Sequence, residues 1–196
     1  MHLFPPAHPL LTPRLQLRRF RDTDFAAYAA YHGDPQVYRF LYQAAPEADR
    51  LGTQFAEVLR APFDGDGHAL RLAAVRQADE AVVGEVLLKI ASLAALQLEV
   101  GYIFNPRFGG QGYATEAVRA LLNWGFEGMG AHRIFARLDA LNTASVKVVE
   151  RLGMRREAHL IQNDRFNGVW GDEYIHALLR SEWPQVAVCP GQGPAG

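Results

Sequence analysis

The sequence is poor in the residues that build metal and redox sites. Its 196 residues include a single cysteine, Cys189, so no disulfide can form within the chain and no cysteine-based metal site can exist. The seven histidines are scattered and form no i,i+4 pair of the kind that holds zinc on a helix. We therefore expect no metal site.

The chain also lacks a surplus of charge of either sign. Twenty-one acidic residues face twenty basic ones, which gives a formal net charge of −1. Nucleic acids and anionic membranes attract proteins mainly through a basic surface. We expect neither of them as the main partner.

Long apolar runs are missing as well. No window is apolar over the length that a membrane-spanning helix needs, and prolines interrupt the N-terminal stretch where a signal peptide would have its apolar core. These features predict a cytoplasmic protein. The length predicts a single domain over residues 1–183, and the Pro- and Gly-rich end predicts a flexible tail over residues 184–196.

The hydrophobic periodicity of the remaining chain predicts an α+β protein. Helices come early, three strand-like runs with a hairpin turn follow, and strands and helices then alternate before two final strands. Predicted strands cover residues 15–20, 68–76, 81–90, 97–104, 133–138, 154–160 and 173–179, and predicted helices cover residues 25–32, 35–42, 46–60, 113–128 and 143–152.

One stretch, residues 100–117 (VGYIFNPRFGGQGYATEA), is typical of an anion site. An apolar strand ends at Asn105-Pro106, three glycines follow within four residues, and a helix then begins. Glycines let backbone amides approach a phosphate, and a helix N-terminus adds unpaired N–H groups and a positive dipole end. The dinucleotide fingerprint and the P-loop do not fit, because Thr115 stands where the third glycine is needed and no Gly-Lys-Ser/Thr follows. From the glycines alone, a simple tight turn is an equal alternative.

Two segments resemble those of the GNAT N-acetyltransferase superfamily, and more narrowly its branch of Rim-type ribosomal-protein N-terminal acetyltransferases. Residues 110–117 (GQGYATEA) match the run that follows the arginine in that branch, and Gly109 stands where Gln or Arg is usual. Some 30 residues later, Asn142-Thr143-Ala144-Ser145 and Glu150-Arg151-Leu152-Gly153-Met154 are similar to the second GNAT segment.

This resemblance implies a GNAT fold, with a central mixed, mostly antiparallel sheet of about seven strands flanked by helices. It implies acetyl-CoA as the acetyl donor and an amine as the acceptor, with a protein N-terminus or a small amine as the candidates and a homodimer as a possible assembly. The cofactor-binding residues carried over from the family are Tyr102, Ile103, Phe104, Gly109, Gly110, Gln111, Gly112, Tyr113, Ala114, Thr115 and Asn142. For Asn142, helix N-capping is an alternative role.

Acetyl transfer requires a base for the amine and can use an acid for the departing thiolate. Glu99 is the favoured base because it lies in an apolar strand, while Glu85 or a water relay are alternatives. Many GNAT members place a tyrosine seven residues after the Asn, where this chain has Val149, so Ser145 is the candidate acid, as in the Rim-type branch. Alternatively, Ser145 is a residue of the first helical turn and has no catalytic role. A non-catalytic module that binds and senses acyl-CoA is the alternative function.

Overall fold

The structure is a computed structural model that describes residues 6–183, so the predicted tail and Cys189 lie outside the described residues. Eight strands form one sheet, and four α-helices pack against it. The strands are β1 (Leu10–Leu11), β2 (Leu15–Arg18), β3 (Ala69–Arg76), β4 (Val82–Ser92), β5 (Gln97–Phe104), β6 (Arg133–Asp139), β7 (Arg155–Phe166) and β8 (Val169–Leu179). The helices are α1 (Phe25–His32), α2 (Leu51–Arg60), α3 (Tyr113–Asn123), which continues as a π-helical turn over Trp124–Gly128, and α4 (Thr143–Arg151).

The sheet is mixed and mostly antiparallel, which confirms the expected fold class. Its strand order is β1-β2-β3-β4-β5-β6-β8-β7, and β5 and β6 are the parallel pair. The count of eight exceeds the predicted seven because the two-residue β1 also pairs with β2, Leu10 opposite Leu17. Two residues are too few to produce a periodic signal in the sequence.

Two apolar layers cover the two faces of the sheet. On one face, α3 and α4 pack on buried residues of β2 to β6, and Leu121, Phe126 and Val149 are fully buried there. On the other face, α1 and α2 place Tyr28 and Phe55 against Phe20 and the small residues of β3. Alternate strand residues point to opposite faces, which is why one strand can supply both layers.

Some predicted boundaries differ from the observed ones. The helix expected over residues 46–60 begins at Leu51, and the helix expected over residues 35–42 is a short 3₁₀ helix, Val37–Phe40. The last two strands extend past their predicted limits and meet at Asn167-Gly168, where both residues have positive φ (49° and 80°). Asn-Gly is a strong signal for a two-residue hairpin, so this turn was legible in the sequence.

The parallel contact between β5 and β6 is short, and this opens the sheet. The two strands pair at only three positions, the last of them Glu99 opposite Phe135. From Val100 to Phe104, β5 stays paired with β4 alone. A gap therefore begins directly after Glu99.

Within residues 6–183, no helix is long and apolar enough to cross a membrane.

Candidate active site

The end of β5 leads into the glycine turn, residues 109–112, through a capped half-turn. The Asn105 side chain accepts a hydrogen bond from the Arg107 N–H (3.0 Å), and Pro106 provides the fixed φ that suits the first position of such a turn. Asn105 also donates its own N–H to the Val83 carbonyl of the neighbouring strand (3.0 Å). The glycine turn is thus anchored to the sheet at its start.

The glycine turn has the conformation that the sequence predicts for an anion cradle. Gly110 and Gly112 have φ of 74° and 78°, in the left-handed region where a side chain is unfavourable. Gly112 is the N-cap of α3, and its carbonyl accepts the first intrahelical bond, from the Glu116 N–H. The amides of Tyr113, Ala114 and Thr115 precede that bond, so they are available to an anion at the positive end of α3.

A cleft of about 650 Å³, the β5–α4 cleft, runs between β5, the glycine turn and α4. It brings together nearly all of the residues predicted to bind the cofactor. The predicted residues that line it are Tyr102, Ile103, Phe104, Gly109, Gly110, Gly112, Tyr113, Ala114, Thr115, Asn142 and Ser145. Gln111 does not line the cleft, and its side of the turn is exposed.

The α4 wall of the cleft is fixed by two hydrogen bonds. The Asn142 side chain accepts from the Ser145 N–H (3.1 Å), so it caps α4 as expected. The Tyr102 hydroxyl crosses from β5 and donates to the Ser145 carbonyl (2.9 Å). Burial raises the pKa of Tyr102, so this phenol keeps its proton at neutral pH.

The cleft also has residues that the sequence reasoning missed. Gln36, Val37 and Leu41 reach it from the segment between α1 and α2, and Lys147 and Arg151 come from α4. The two basic residues are four apart and so share a helix face, a signal that could have indicated an anionic ligand. Gln36, Val37 and Leu41 belong to a short 3₁₀ helix, Val37–Phe40, and to its two ends, and such a short segment carries no signal of a ligand.

Glu99 lies beside the cleft and is not among its lining residues. Leu98 and Val100 are buried under α3, so Glu99 points to the opposite face of the sheet. Its carboxylate is 3.4 Å from the Lys89 ammonium across the β4–β5 pair, and 21% of its side chain is exposed. Glu99 is therefore partly accessible at the point where the gap between β5 and β6 begins.

Glu85, the alternative base, is fully buried below α1. It accepts hydrogen bonds from Arg71 (2.6 Å), the Tyr31 hydroxyl (3.0 Å) and the His32 Nε2 (3.1 Å). Burial raises the pKa of this carboxyl, but the bonds from His32 and Arg71 outweigh it and leave the pKa below its usual range. Such a carboxylate is ionised but is a weak base, and its partners Arg71, Tyr31 and His32 do not line the β5–α4 cleft.

Over residues 6–183, no three His, Cys, Asp or Glu side chains are placed to hold a metal ion. The site offers backbone amides, hydroxyl groups and the cationic side chains of Lys147 and Arg151, with the carboxylate of Glu99 beside the cleft.

Comparison with known proteins assigns the family. Residues 14–155 match the family described as "Acetyltransferase (GNAT) domain", which covers most of the chain. The chain belongs to the GNAT acetyltransferase family. As a GNAT N-acetyltransferase it uses acetyl-CoA as the donor and transfers the acetyl group to an amine.

Three known proteins illustrate the relationship. The relative named "Uncharacterized N-acetyltransferase YnaD", from Bacillus subtilis, is 30% identical over 89% of this chain and 98% of its own length. The ribosomal N-acetyltransferase-like YdaF of the same organism is 29% identical over 54% of this chain and 57% of its own length, which agrees with the Rim-type resemblance. A spermidine N-acetyltransferase from Vibrio cholerae, solved with CoA and spermine, has a TM-score of 0.76 at 20% identity and covers 88% of this chain and 99% of its own, a likeness of fold alone.

The features of the GNAT acetyltransferase site fit acetyl-CoA. The glycine turn offers amides to a pyrophosphate, and the exposed edge of β5 offers main-chain groups to an extended, amide-containing arm. The mixed polar and apolar lining of the cleft suits a ligand with both characters. The individual contacts of each predicted residue with the cofactor remain predictions.

Proposed function

We propose that the protein transfers the acetyl group directly from acetyl-CoA to a primary amine while both are bound. The observation that carries this proposal is the gap between β5 and β6. The gap joins the β5–α4 cleft, which lies toward α3 and α4, to the opposite face where Glu99 lies. A thioester held in the gap would meet an amine arriving from the Glu99 side.

In the proposed complex, the backbone holds the donor. The amides from Gly110 to Ala114 bind the pyrophosphate, and the main chain from Tyr102 to Phe104 bonds the pantetheine arm and polarises the thioester oxygen. Asn142 contacts the same arm from the other wall. Amides fixed in this way need no reorganisation when charge develops on the oxygen, which is the basis of oxyanion stabilisation.

Glu99 is the proposed base. The ammonium of the acceptor loses a proton to its carboxylate, directly or through one water, and the free amine attacks the carbonyl carbon. The partial exposure of Glu99 and its position at the start of the gap support this role. Glu85 is less suited, since three hydrogen-bond partners occupy its carboxylate.

Ser145 is the proposed donor for the departing thiolate. When the C–S bond breaks, the Ser145 hydroxyl gives its proton to the sulfur of CoA and regains one from the nitrogen, which loses a second proton as the amide forms; Ser145 lines the cleft on the α4 side. Val149, where many family members have tyrosine, is fully buried and has no donor. Holding both substrates in place supplies a large share of the acceleration, so a weak acid is sufficient.

The acceptor is proposed to be a protein N-terminus or a small amine. The resemblance to the Rim-type branch and the ribosomal name of YdaF favour the first. The Vibrio cholerae fold relative was solved with spermine, a polyamine, which favours the second.

We place the enzyme in the cytoplasm, which fractionation of the source cells can test.

A homodimer formed through β7 is part of the proposal. This strand is at one edge of the sheet, and its neighbourhood exposes four large apolar side chains: Leu160, Ile161, Val169 and Trp170. An unpaired edge with exposed apolar residues favours pairing with a second chain. Light scattering after gel filtration should give the mass of a dimer, and Ile161→Lys should give a monomer.

The function is tested by measuring the CoA thiol released from acetyl-CoA with a panel of amines. The panel contains peptides with free N-termini, spermidine, spermine and a blank without acceptor. Release above the blank with one class identifies the acceptor. Tight acetyl-CoA binding without release for every amine would support the alternative, an acyl-CoA sensor, and overturn the enzymatic proposal for this site.

The base is tested with Glu99→Gln and the matched control Glu57→Gln, an exposed residue of α2. Loss of the base should lower turnover by roughly 10²–10⁴-fold while acetyl-CoA affinity stays nearly constant. The Glu57 variant should behave as the wild type. Equal turnover in both variants across the pH range would remove Glu99 from the mechanism.

A further inference from the structure

The first turn of α3 is tied to a segment about one hundred residues earlier in the chain. The Glu116 carboxylate accepts hydrogen bonds from the Thr12 hydroxyl (2.6 Å), the Arg14 backbone N–H (2.8 Å) and the Arg14 Nε (2.6 Å). Thr12 and Arg14 are the first and last residues of the turn between β1 and β2. The N-terminal edge of the sheet therefore holds the helix end that forms the anion cradle.

Arg14 makes two further contacts, both with the cradle itself. Its Nη1 donates to the Gln111 carbonyl (2.9 Å), and its guanidinium lies over the Tyr113 ring, 4.6 Å from the centroid. In a trans peptide, the carbonyl of one residue and the N–H of the next point in opposite directions. Holding the Gln111 carbonyl on the Arg14 side therefore turns the Gly112 N–H away from Arg14, and Gly112 lines the β5–α4 cleft.

The same contacts solve an electrostatic conflict. A carboxylate in the first turn of a helix stabilises that helix, but it also repels an anion bound at the same end. Burial would raise the pKa of Glu116, yet the bonds from Thr12 and Arg14 outweigh it and lower the pKa below its usual range, so the group is ionised. The Arg14 guanidinium, 2.6 Å from Glu116, offsets that negative charge where the pyrophosphate would approach.

We propose that Arg14 and Glu116 form a clamp that positions the glycine turn for the pyrophosphate of the cofactor. The proposal rests on the placement of acetyl-CoA given under the proposed function. Arg14 is a positioning residue: it sets the direction of a backbone amide and compensates a charge, and the amides make the contact with phosphate.

The test separates the pyrophosphate from the rest of the cofactor. Binding of CoA is measured by calorimetry for the wild type, Arg14→Gln, Arg14→Lys and the control Arg60→Gln, an exposed arginine at the end of α2. Arg14→Gln should weaken CoA binding by about 10- to 100-fold, since it removes bonds between charged groups. Arg14→Lys should bind CoA with an affinity between those of the wild type and Arg14→Gln, because lysine keeps the positive charge but lacks the several N–H donors of the guanidinium group. Arg60→Gln should bind CoA as the wild type does.

A second acetyl donor shows which part of the cofactor the variant binds less well. With S-acetylpantetheine, which has no pyrophosphate, Arg14→Gln should keep the wild-type kcat/KM, while its KM for acetyl-CoA rises and its kcat stays within about twofold. Glu116→Gln should add little to the effect of Arg14→Gln, because the two side chains act as one unit. Urea unfolding midpoints show whether each variant is folded.

The possible results are distinct. Wild-type CoA affinity in Arg14→Gln, or an equal loss with S-acetylpantetheine, would overturn the clamp. CoA binding that depends on Arg14 without turnover for any amine would support the clamp and overturn the enzymatic function. Failure of the wild type to bind CoA would overturn both.

Discussion

Replacing Glu85 with glutamine should test whether the buried carboxylate below α1 is structural. The perturbation keeps the size of the side chain but removes its charge. In the wild type, one oxygen accepts from Arg71 and the other from Tyr31 and His32. A glutamine side chain has one acceptor and one NH₂ group, so a donor would face at least one of the existing donors.

The cost follows from these contacts. Breaking a buried ion pair by removing one partner costs about 3–5 kcal/mol when the remaining charge stays buried. Arg71 is one-third exposed and can regain water, and glutamine keeps one accepting oxygen. We therefore expect Glu85→Gln to lower the free energy of unfolding by about 2–4 kcal/mol, whereas the exposed Glu57→Gln should change it by less than about 0.5 kcal/mol.

The pH dependence gives an independent check on the sign. The folded-state pKa of Glu85 is below its usual value, so its contribution to stability is present above the ordinary carboxyl pKa of about 4.3 and is lost as pH falls through the folded-state pKa. Urea unfolding at pH 7 should show the full difference between wild type and Glu85→Gln. Below about pH 4 that difference should shrink. A difference that is negligible at pH 7, or that is the same at pH 7 and pH 3, would refute the reasoning.

Three further predictions concern substitutions of single residues. Gly110→Ala should destabilise the fold by about 1–2 kcal/mol, because Gly110 has a left-handed φ that an alanine adopts only with strain, and it should also weaken acetyl-CoA binding. Gly52→Ala in α2 should instead stabilise the fold by about 0.5–1 kcal/mol, because Gly52 is helical and has open space around it. Urea unfolding of the two variants checks both signs. Gly171→Ala should displace the phenol of Tyr42, against which the added methyl group would collide, and break its hydrogen bond to Asp139, so we expect the free energy of unfolding in urea to fall by about 1–3 kcal/mol. Asn142→Ala should cost about 0.5–2 kcal/mol of unfolding free energy through the lost N-cap of α4, and an unchanged urea midpoint would contradict the cap.

The donor half of the site was predictable because its signals are local. The glycine turn, the helix that follows it and the cap of α4 each occupy a few consecutive residues. Local steric rules fix their conformations, and the structure gives Gly110 and Gly112 the left-handed φ that the pattern requires. The predicted cofactor residues other than Gln111 therefore line one cleft, although their contacts with acetyl-CoA are still predictions.

Other features were not predictable because they depend on pairs that are distant in the chain. Nothing local connects Arg14 to Glu116, which are 102 residues apart, since their contact exists only after α3 packs on the sheet that contains β2. The neighbourhood of Glu99 is similar. Its apolar sequence neighbours suggested a desolvated carboxylate, but alternation places them on the other face, and the side chain beside it is Lys89.

These differences explain why the chain specifies its donor more clearly than its acceptor. Backbone amides bind acetyl-CoA in the proposed complex. The donor site therefore requires only glycines at the right positions and a helix that begins after them, and the other side chains of the turn can vary. Side chains outside the turn depend instead on contacts between distant parts of the chain: Tyr42, in the segment between α1 and α2, bonds Asp139 of β6 and packs on Gly171 of β8. Local sequence patterns do not show such contacts, so they do not define the acceptor.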